Sequence, residues 1–393
     1  YGFRYVKLTK WSGPLEESNF TACNVYSDLP IIGNLTTSNP LVNQLISNGL
    51  WSQKDNFLDV PTDCPQRDER LGWTGDAQIF CKTAMFNMNC YSFYRKYLKE
   101  LYLHQIRDGG VPPVFVPFFG ERGSFFLTED GIIAWADCAT IMPFNVYLMN
   151  GKKQILEDQY QSMIDWVDQM TTHIGDNGLW DLSYLQLCDW LALDGPNTRQ
   201  NANRVFGGTE CTFCCTVFYF ISLQLVCKVC KILNKDSEYE KYNQLKEKTL
   251  KVIRDEYFTQ TGRCVIQTQT ALSLALIHDL SPEGTQKNTA DNLHKILSDT
   301  QFHLQTGFIG TPILCRALTK SGLNQDAYKT FLQETYPGWL YPVTMGATSM
   351  WERWDSLLPD GRVSPEGMNS FNHYAAASVL EWIYSDVCGL NPV

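Results

Sequence analysis

Basic residues are scarce in this chain of 393 residues, where 32 lysines and arginines stand against 42 aspartates and glutamates and give a net charge of -10. Nucleic acids and anionic membranes bind proteins through basic surfaces, so this balance argues against both as partners. The sequence also lacks a glycine-rich nucleotide motif. A neutral ligand such as a sugar is compatible with this charge.

Charge-free apolar runs are also limited. One runs from Cys211 to Cys227, which is shorter than the roughly 20 residues that a membrane-spanning helix needs. It contains polar residues as well, among them Thr216, Ser222 and Gln224. We therefore predict a buried core helix here and no membrane partner.

A disulfide framework is not expected either. The fourteen cysteines are scattered from Cys23 to Cys388, in a chain whose 44% hydrophobic residues can bury a large core. Such usage is typical of reduced packing residues in a cytoplasmic protein. The chain opens on Tyr1 without a methionine, so we expect its true N-terminus to lie outside this sequence.

Four of these cysteines have the spacing of a zinc site, since Cys211-x-x-Cys214 is followed by Cys227-x-x-Cys230. The predicted core helix is continuous through all four. At 1.5 Å per residue it would place Cys211 and Cys227 about 24 Å apart, too far for one zinc ion. The sequence therefore predicts no metal at these cysteines.

Helical patterns broken by Gly, Pro and Asn dominate the rest of the chain, and strand patterns are few. Helices joined by short loops pack antiparallel, so the sequence predicts an all-α fold of helical hairpins. The predicted helices lie near residues 40–51, 76–88, 90–105, 135–149, 154–171, 210–233, 237–256, 267–279, 286–300, 310–320, 324–333 and 369–386. The exception is Asp108–Thr128, which we interpret either as an aromatic loop over a binding site or as hydrophobic packing.

The stretch Asp59–Gln78, DVPTDCPQRDERLGWTGDAQ, concentrates five acidic residues, two arginines and a tryptophan. Crowded carboxylates push one another's pKa values apart, so that one stays protonated as an acid while a neighbour stays ionised. A solvated charged loop is the alternative. Pro65 and Trp73 are poor choices for a merely soluble loop, so we favour a site for proton chemistry on a polar ligand.

If the polar ligand is a glycoside, its hydrolysis needs a second carboxylate from a distant segment, on the other side of the sugar. Glu352, in SMWERWDS, lies between Trp351 and Trp354, whose rings can wall a dry pocket and stack on sugar C–H groups. The alternative is a surface ion pair between Glu352 and Arg353.

The acidic stretch closely resembles the motif of bacterial α-L-rhamnosidases, glycoside hydrolase family 78. Further blocks of the sequence resemble that family in the same order: Tyr1–Val6 (YGFRYV), Ala134–Asp137 (AWAD), Asp189–Leu191 (DWL), Gly346–Asp355 (GATSMWERWD) and Ser370–Tyr374 (SFNHY). The resemblance implies an (α/α)6 barrel, a six-hairpin toroid, at 33–393. It also implies that 1–32 are the linker and last strand of a preceding β-domain.

The resemblance further implies an inverting hydrolase that releases terminal α-L-rhamnose, with Glu69 as general acid and Glu352 as general base. No cofactor is implied, and the sequence is compatible with a homodimer. We expect the acidic neighbours of Glu69 and desolvation to raise its pKa. The residues that match sugar contacts are Asp63, Arg67, Trp73, Asp76, Trp135, Asp137, Trp190 and His373. The two tryptophans at 135 and 190 could instead belong to the core, and the histidine could be structural.

The sequence departs from the family pattern at three places, which puts the substrate preference in doubt. Ala136 and Cys188 stand where glycine is usual, and Ser349-Met350 stands where Thr-Ile is typical. Two other functions stay open. One is an exo-glycosidase for another sugar on the same barrel, and the other is a sugar-binding protein without activity, against which the presence of both glutamates argues.

Overall fold

The computed structural model describes residues 5–118, 131–182, 185–195 and 207–392. Helices dominate these residues, which confirms the all-α prediction. The helices are α1 Pro40–Asn56, α2 Thr74–Asn87, α3 Tyr91–Arg107, α4 Cys138–Asn150, α5 Gln154–Thr172, α6 Cys211–Ile232, α7 Asp236–Tyr257, α8 Gln269–Ile277, α9 Gln286–Asp299, α10 Leu314–Lys320, α11 Asn324–Phe331, α12 Tyr341–Thr344 and α13 Leu380–Trp382. The described strands are β1 Phe57–Leu58, β2 Val60–Pro61, β3 Gly72–Trp73 and β4 Phe115–Val116, which pair antiparallel as β1 with β2 and β3 with β4.

Local sequence signals explain where several helices begin and end. Asn39 caps α1 by accepting hydrogen bonds from the backbone of Leu41 and Val42, and Pro40 occupies the first turn, where its missing N–H costs nothing. Glu210 caps α6 in the same way. Helix α4 ends at Gly151, which adopts a left-handed conformation with φ 75°.

The helices form an inner and an outer set. Helix α6 is buried on nearly all sides, whereas α7 is amphipathic and buries one face against it. Within the inner set α2 packs on α4, α4 on α6 and α8 on α10. Lys82 of α2 lies 3.1 Å from Glu381 of α13, and Arg316 of α10 contacts the same carboxylate. This shared carboxylate joins the first and last parts of the inner set.

The last predicted helix differs from the structure. Instead of one helix over 369–386, the chain forms a 3₁₀ helix at Tyr374–Val379, then α13, then a π-helical turn at Ile383–Val387. The helical part starts late because His373 is extended, with φ -147°. Residues before it are held by other partners: the Ser370 hydroxyl, for example, accepts a hydrogen bond from Gln66 at 2.9 Å.

The prediction of reduced cysteines is wrong for one pair, because Cys188 and Cys211 form a disulfide with Cα atoms 5.8 Å apart. Their approach is tertiary, between a loop and the start of α6, and no local pattern reveals it. Helix α6 is continuous, as predicted, and its remaining cysteines are buried and free. Cys188 has a φ of 48°, which explains physically why glycine suits this position.

The predicted N-terminal strand is not seen in the described residues. Tyr5 and Val6 form no strand and are 88% and 67% exposed, and the first four residues of the predicted strand lie outside the described residues.

Helix α6 is long and apolar enough to cross a membrane, yet most of it is buried inside the protein. Its role as a core helix is therefore as predicted.

Candidate active site

The acidic stretch folds into a closed turn between β2 and β3. Two hydrogen bonds between Asp63 and Leu71 stabilise this turn. The Asp63 backbone N–H donates to the Leu71 carbonyl at 2.9 Å, and Oδ1 of Asp63 accepts from the Leu71 N–H at 2.9 Å. Asp63 is 1% exposed and Asp76 is 3% exposed. A solvated loop would not bury these carboxyls, so the stretch forms a built polar site.

Arg67 connects the two glutamates that were predicted to be catalytic. Its Nε donates to Oε2 of Glu69 at 2.6 Å, and its Nη1 and Nη2 donate to the two oxygens of Glu352 at 2.9 and 3.1 Å. The alternative pair of Glu352 with Arg353 does not form, because Arg353 donates to Asp355 at 3.0 Å. Segments about 285 residues apart in sequence therefore meet at one guanidinium.

The two glutamates have opposite protonation tendencies. Burial raises the pKa of Glu69, with a further contribution from the charge of Glu352, while Arg67 opposes this shift. Burial also acts to raise the pKa of Glu352, but His373, Arg67 and the Ser370 N–H at 2.8 Å together hold it below its usual value. One group therefore favours the acid form and the other the carboxylate.

The cause of the Glu69 shift differs in part from the expectation. Its upward direction and the contribution of burial are as expected, but the acidic neighbour that contributes comes from the distant segment that carries Glu352. Asp68 points into solvent, with a side chain that is 107% exposed, and lies 3.5 Å from Arg70. A charge count within the acidic stretch could not identify this neighbour.

Nδ1 of His373 is buried and has no hydrogen-bond partner among the described residues. Oδ1 of Asp76 lies 3.2 Å from Nε2 of His373, and Oδ2 of Asp63 lies 3.7 Å from Nη2 of Arg67. Burial raises the pKa of Asp63 to about 7, holds that of Asp76 well above its usual value and lowers that of His373. Buried polar groups with spare hydrogen-bonding capacity suit the hydroxyls of a bound ligand.

The predicted tryptophans are buried or half-buried. Trp73 and Trp135 are 8% and 3% exposed, and Trp190 is half-buried. Gly75 permits the approach of Trp135, because a Cβ there would lie 2.5 Å from the indole ring. Trp73 packs edge-on against Phe115 of β4, with ring centroids 5.4 Å apart. The first part of the predicted aromatic loop thus packs against the site, and 119–130 lie outside the described residues.

Asp137 occupies a different environment from the other predicted sugar contacts. It is completely buried, and its oxygens accept from the Ala134 N–H at 2.8 Å, the Ser222 hydroxyl at 2.7 Å and the Trp166 indole at 3.3 Å. These contacts hold the turn that carries Trp135. The predicted role of Asp137 as a sugar contact stays a prediction.

A cavity of about 1020 Å³ opens beside Glu352. Of the predicted residues, it includes Glu352, and its walls also include Phe308, Leu191 and Trp354. Trp351 packs instead against Phe371, with ring centroids 5.4 Å apart. Phe308 was missed at the sequence level, because nothing in its neighbourhood marks a motif.

One group of side chains has the spacing of metal ligands, since atoms of Asp63, Cys64 and Glu69 lie within 4.8 Å of one another. Burial raises the pKa of the Cys64 thiol far above its usual value, so it carries a proton that a metal would have to displace. The guanidinium of Arg67 also contacts this group. The donor set suits a protonated, hydrogen-bonding site better than a metal centre.

Comparison with known proteins places the chain in a family. Residues 30–387 match the bacterial alpha-L-rhamnosidase 6 hairpin glycosidase domain. The whole chain is 37% identical to an alpha-L-rhamnosidase of Alteromonas sp. (strain LOR) and 35% identical to one of Streptomyces avermitilis, covering 42% and 36% of these relatives. The chain thus spans about two fifths of the length of the relatives it matches.

Solved structures give the same result. The native alpha-L-rhamnosidase of Aspergillus terreus is similar over 97% of this chain and 43% of its own, with a TM-score of 0.90 and 35% identity. The Streptomyces avermitilis enzyme complexed with L-rhamnose is similar over 93% of this chain and 33% of its own, with a TM-score of 0.84 and 34% identity.

Proposed function

This chain belongs to the bacterial α-L-rhamnosidases with a six-hairpin glycosidase domain, and we propose that it hydrolyses terminal, non-reducing α-L-rhamnosides with inversion. Residues 33–393 form the catalytic unit in this proposal, and 1–32 connect it to a preceding β-domain. The observation that carries the proposal is the bridge from Glu69 through Arg67 to Glu352, two carboxyls with opposite pKa shifts.

Glu69 acts as the general acid. Its raised pKa keeps a proton available for the glycosidic oxygen as the bond to the leaving group breaks. Its side chain is 24% exposed, which gives a leaving group access to it. A protonated Glu69 carries no negative charge, so the positive charge of Arg67 then stabilises only the carboxylate of Glu352.

Glu352 acts as the general base. Its lowered pKa keeps it ionised, and its side chain is 2% exposed, so a water beside it is shielded from bulk solvent. The carboxylate removes a proton from this water as the water attacks the anomeric carbon from the face opposite the leaving group. Attack from that face inverts the configuration.

The buried polar atoms of Asp63, Asp76 and His373 supply the sugar contacts, since they can exchange hydrogen bonds with the hydroxyls of the ring. Trp73, Trp135 and Trp190 supply apolar surface for its C–H groups. The complex of the Streptomyces avermitilis relative with L-rhamnose supports rhamnose as the sugar.

The experiment is a panel of p-nitrophenyl glycosides that includes α-L-rhamnoside, α-L-arabinoside, α-L-fucoside and β-D-glucoside. We expect release from the α-L-rhamnoside alone, and NMR of the first product should show β-L-rhamnose. Release from another glycoside would favour an exo-glycosidase for a different sugar. First formation of the α-anomer would contradict inversion, and binding of rhamnose without turnover would favour a sugar-binding protein.

A further inference from the structure

Two segments of the chain, 189–193 and 305–310, meet along the cavity that contains Glu352. The backbone N–H of Phe308 donates to the Trp190 carbonyl at 2.8 Å, and that of Leu193 donates to the Gln305 carbonyl at 2.9 Å. Gly307 permits this approach, because a Cβ there would lie 2.1 Å from the Trp190 carbonyl oxygen. The positions of Trp190 and Phe308 are therefore fixed relative to each other.

Asp189 fastens the turn at 307–310. It is completely buried, and its carboxylate accepts from the backbone N–H groups of Gly307, Ile309 and Gly310 at 3.0, 2.9 and 3.1 Å. The hydroxyl of Thr270 donates to the same carboxylate. Four donors converge on one side chain, and hydrogen bonds to a charged acceptor are stronger than those between neutral groups.

Phe308 is the residue of this turn whose N–H bonds elsewhere, and its side chain reaches the predicted sugar site. Its ring stacks on Trp135 with centroids 5.8 Å apart and planes 17° apart. It also meets the ring of His373 edge-on, at 5.9 Å and 81°. Half-buried, it lines the same cavity as Glu352.

We propose that Asp189 is a positioning residue that acts through Phe308, and that Phe308 is a wall of the pocket against which the sugar packs. This inference rests on the proposed hydrolysis of rhamnosides. In Asp189→Asn an NH2 group replaces one carboxylate oxygen, so two of the four donors lose their acceptor and the turn relaxes. The ring of Phe308 then no longer holds Trp135 and His373 in place, and binding of the sugar weakens.

The test is a double-mutant cycle of Asp189→Asn and Phe308→Ala, with kcat and KM measured on p-nitrophenyl α-L-rhamnoside. We expect Phe308→Ala to raise KM by about 3–10-fold, the worth of an aromatic contact, with a smaller effect on kcat. Asp189→Asn should raise KM similarly, and the double variant should be no worse than the worse single variant. Phe308→Tyr keeps the ring and should raise KM less than Phe308→Ala does.

Two further variants separate positioning from loss of stability. Thr270→Val removes one of the four donors to Asp189 and replaces Asp189→Asn in the cycle if that variant does not fold. It should raise KM less than Asp189→Asn does. Combined with Phe308→Ala, it should not raise KM beyond the value of Phe308→Ala alone. Leu297→Ala removes a fully buried side chain on helix α9, so it should lower the melting temperature and leave KM unchanged.

Additive losses in the double variant would overturn the inference, since Asp189 would then act independently of Phe308. An unchanged KM in Phe308→Ala would overturn it too, as would a KM rise in Leu297→Ala equal to that in Asp189→Asn. In each of these cases an active wild-type enzyme leaves the proposed function intact. A wild-type chain that does not cleave the rhamnoside would overturn the proposed function and this inference with it.

Discussion

Arg67 donates to both oxygens of Glu352, at 2.9 and 3.1 Å, whereas its Nε and Nη2 both lie 2.6 Å from a single oxygen of Glu69, Oε2. A single positive charge between two carboxyls compensates only one negative charge, so ionisation of both is unfavourable. Contact with both oxygens, together with the hydrogen bond from the Ser370 N–H, favours ionisation of Glu352 and leaves Glu69 as the group that takes up a proton.

Glu69→Gln should therefore lower the turnover mainly of substrates whose leaving group must be protonated by a general acid. The amide keeps the shape but has no proton to give, so turnover of glycosides with poor leaving groups should fall by ~10²–10⁴-fold. Aryl glycosides with good leaving groups should lose less, whereas Glu352→Gln should impair both kinds of substrate. The matched control is Asp68→Asn at the exposed neighbouring position. Wild-type rates of Glu69→Gln on a poor leaving group would contradict the assignment.

The pH dependence of kcat/KM should be bell-shaped, with the acidic limb set by Glu352 and the basic limb by Glu69. The pKa of Glu352 is lowered and that of Glu69 is raised, so an interval exists in which one is ionised and the other protonated. Asp76→Asn should leave the basic limb in place, because the raised pKa of Asp76 already keeps that carboxyl uncharged. A basic limb that moves to lower pH in Asp76→Asn would show that Asp76 is ionised.

Asp63→Asn should stabilise the fold at alkaline pH while impairing activity. Burial raises the pKa of Asp63 to about 7 from an ordinary value of 3.8, so the folded state binds the proton more tightly than the unfolded state. The stability from this proton is fully present below pH ~4 and is lost as the pH rises through ~7. The neutral amide avoids that loss, which is on the order of 2–4 kcal/mol at pH 8.

Urea unfolding at pH 4 and pH 8 measures this difference. The variant and the wild type should be similar at pH 4 and diverge at pH 8, while Asp68→Asn, which changes an exposed carboxyl, should follow the wild type at both. Equal free energies of unfolding of Asp63→Asn and wild type at pH 8 would show that ionisation of Asp63 does not destabilise the folded state.

The disulfide between Cys188 and Cys211 should stabilise the protein. It closes a segment with a sequence separation of 23 residues, for which restriction of the unfolded chain contributes about 3 kcal/mol. Dithiothreitol should lower the Tm of the wild type and leave that of a Cys188→Ser/Cys211→Ser variant unchanged. Substitution of the exposed Cys23 and Cys388 serves as the control. A wild-type Tm that does not respond to the reductant would contradict this prediction.

The sequence predicted the helices well because each carries its own periodicity and end signals. Helix α5 shows this, since the predicted 154–171 is observed as Gln154–Thr172. The two glutamates could be selected because each lies in a motif that resembles a known family. The structure then brings both to one arginine, a relation between segments that no local pattern contains.

What could not be predicted depends on contacts across the fold. Asp189 lies in a recognised block, but its partners are backbone N–H groups about 120 residues further along the chain. Phe308 is one of 21 phenylalanines, and only its packing against Trp135 and His373 distinguishes it. The pairing of Cys188 with Cys211 was missed for the same reason.

The carboxylate of Glu381 also bears on how the chain folds. It contacts Lys82 of α2 and Arg316 of α10, so these contacts of α2 form only when the C-terminal part of the chain has folded. Contacts of such long sequence separation form late and slowly in folding. Glu69 and Glu352 also come from distant parts of the chain, so the candidate site should form only after such long-range contacts. During refolding, activity should therefore recover later than helical circular dichroism.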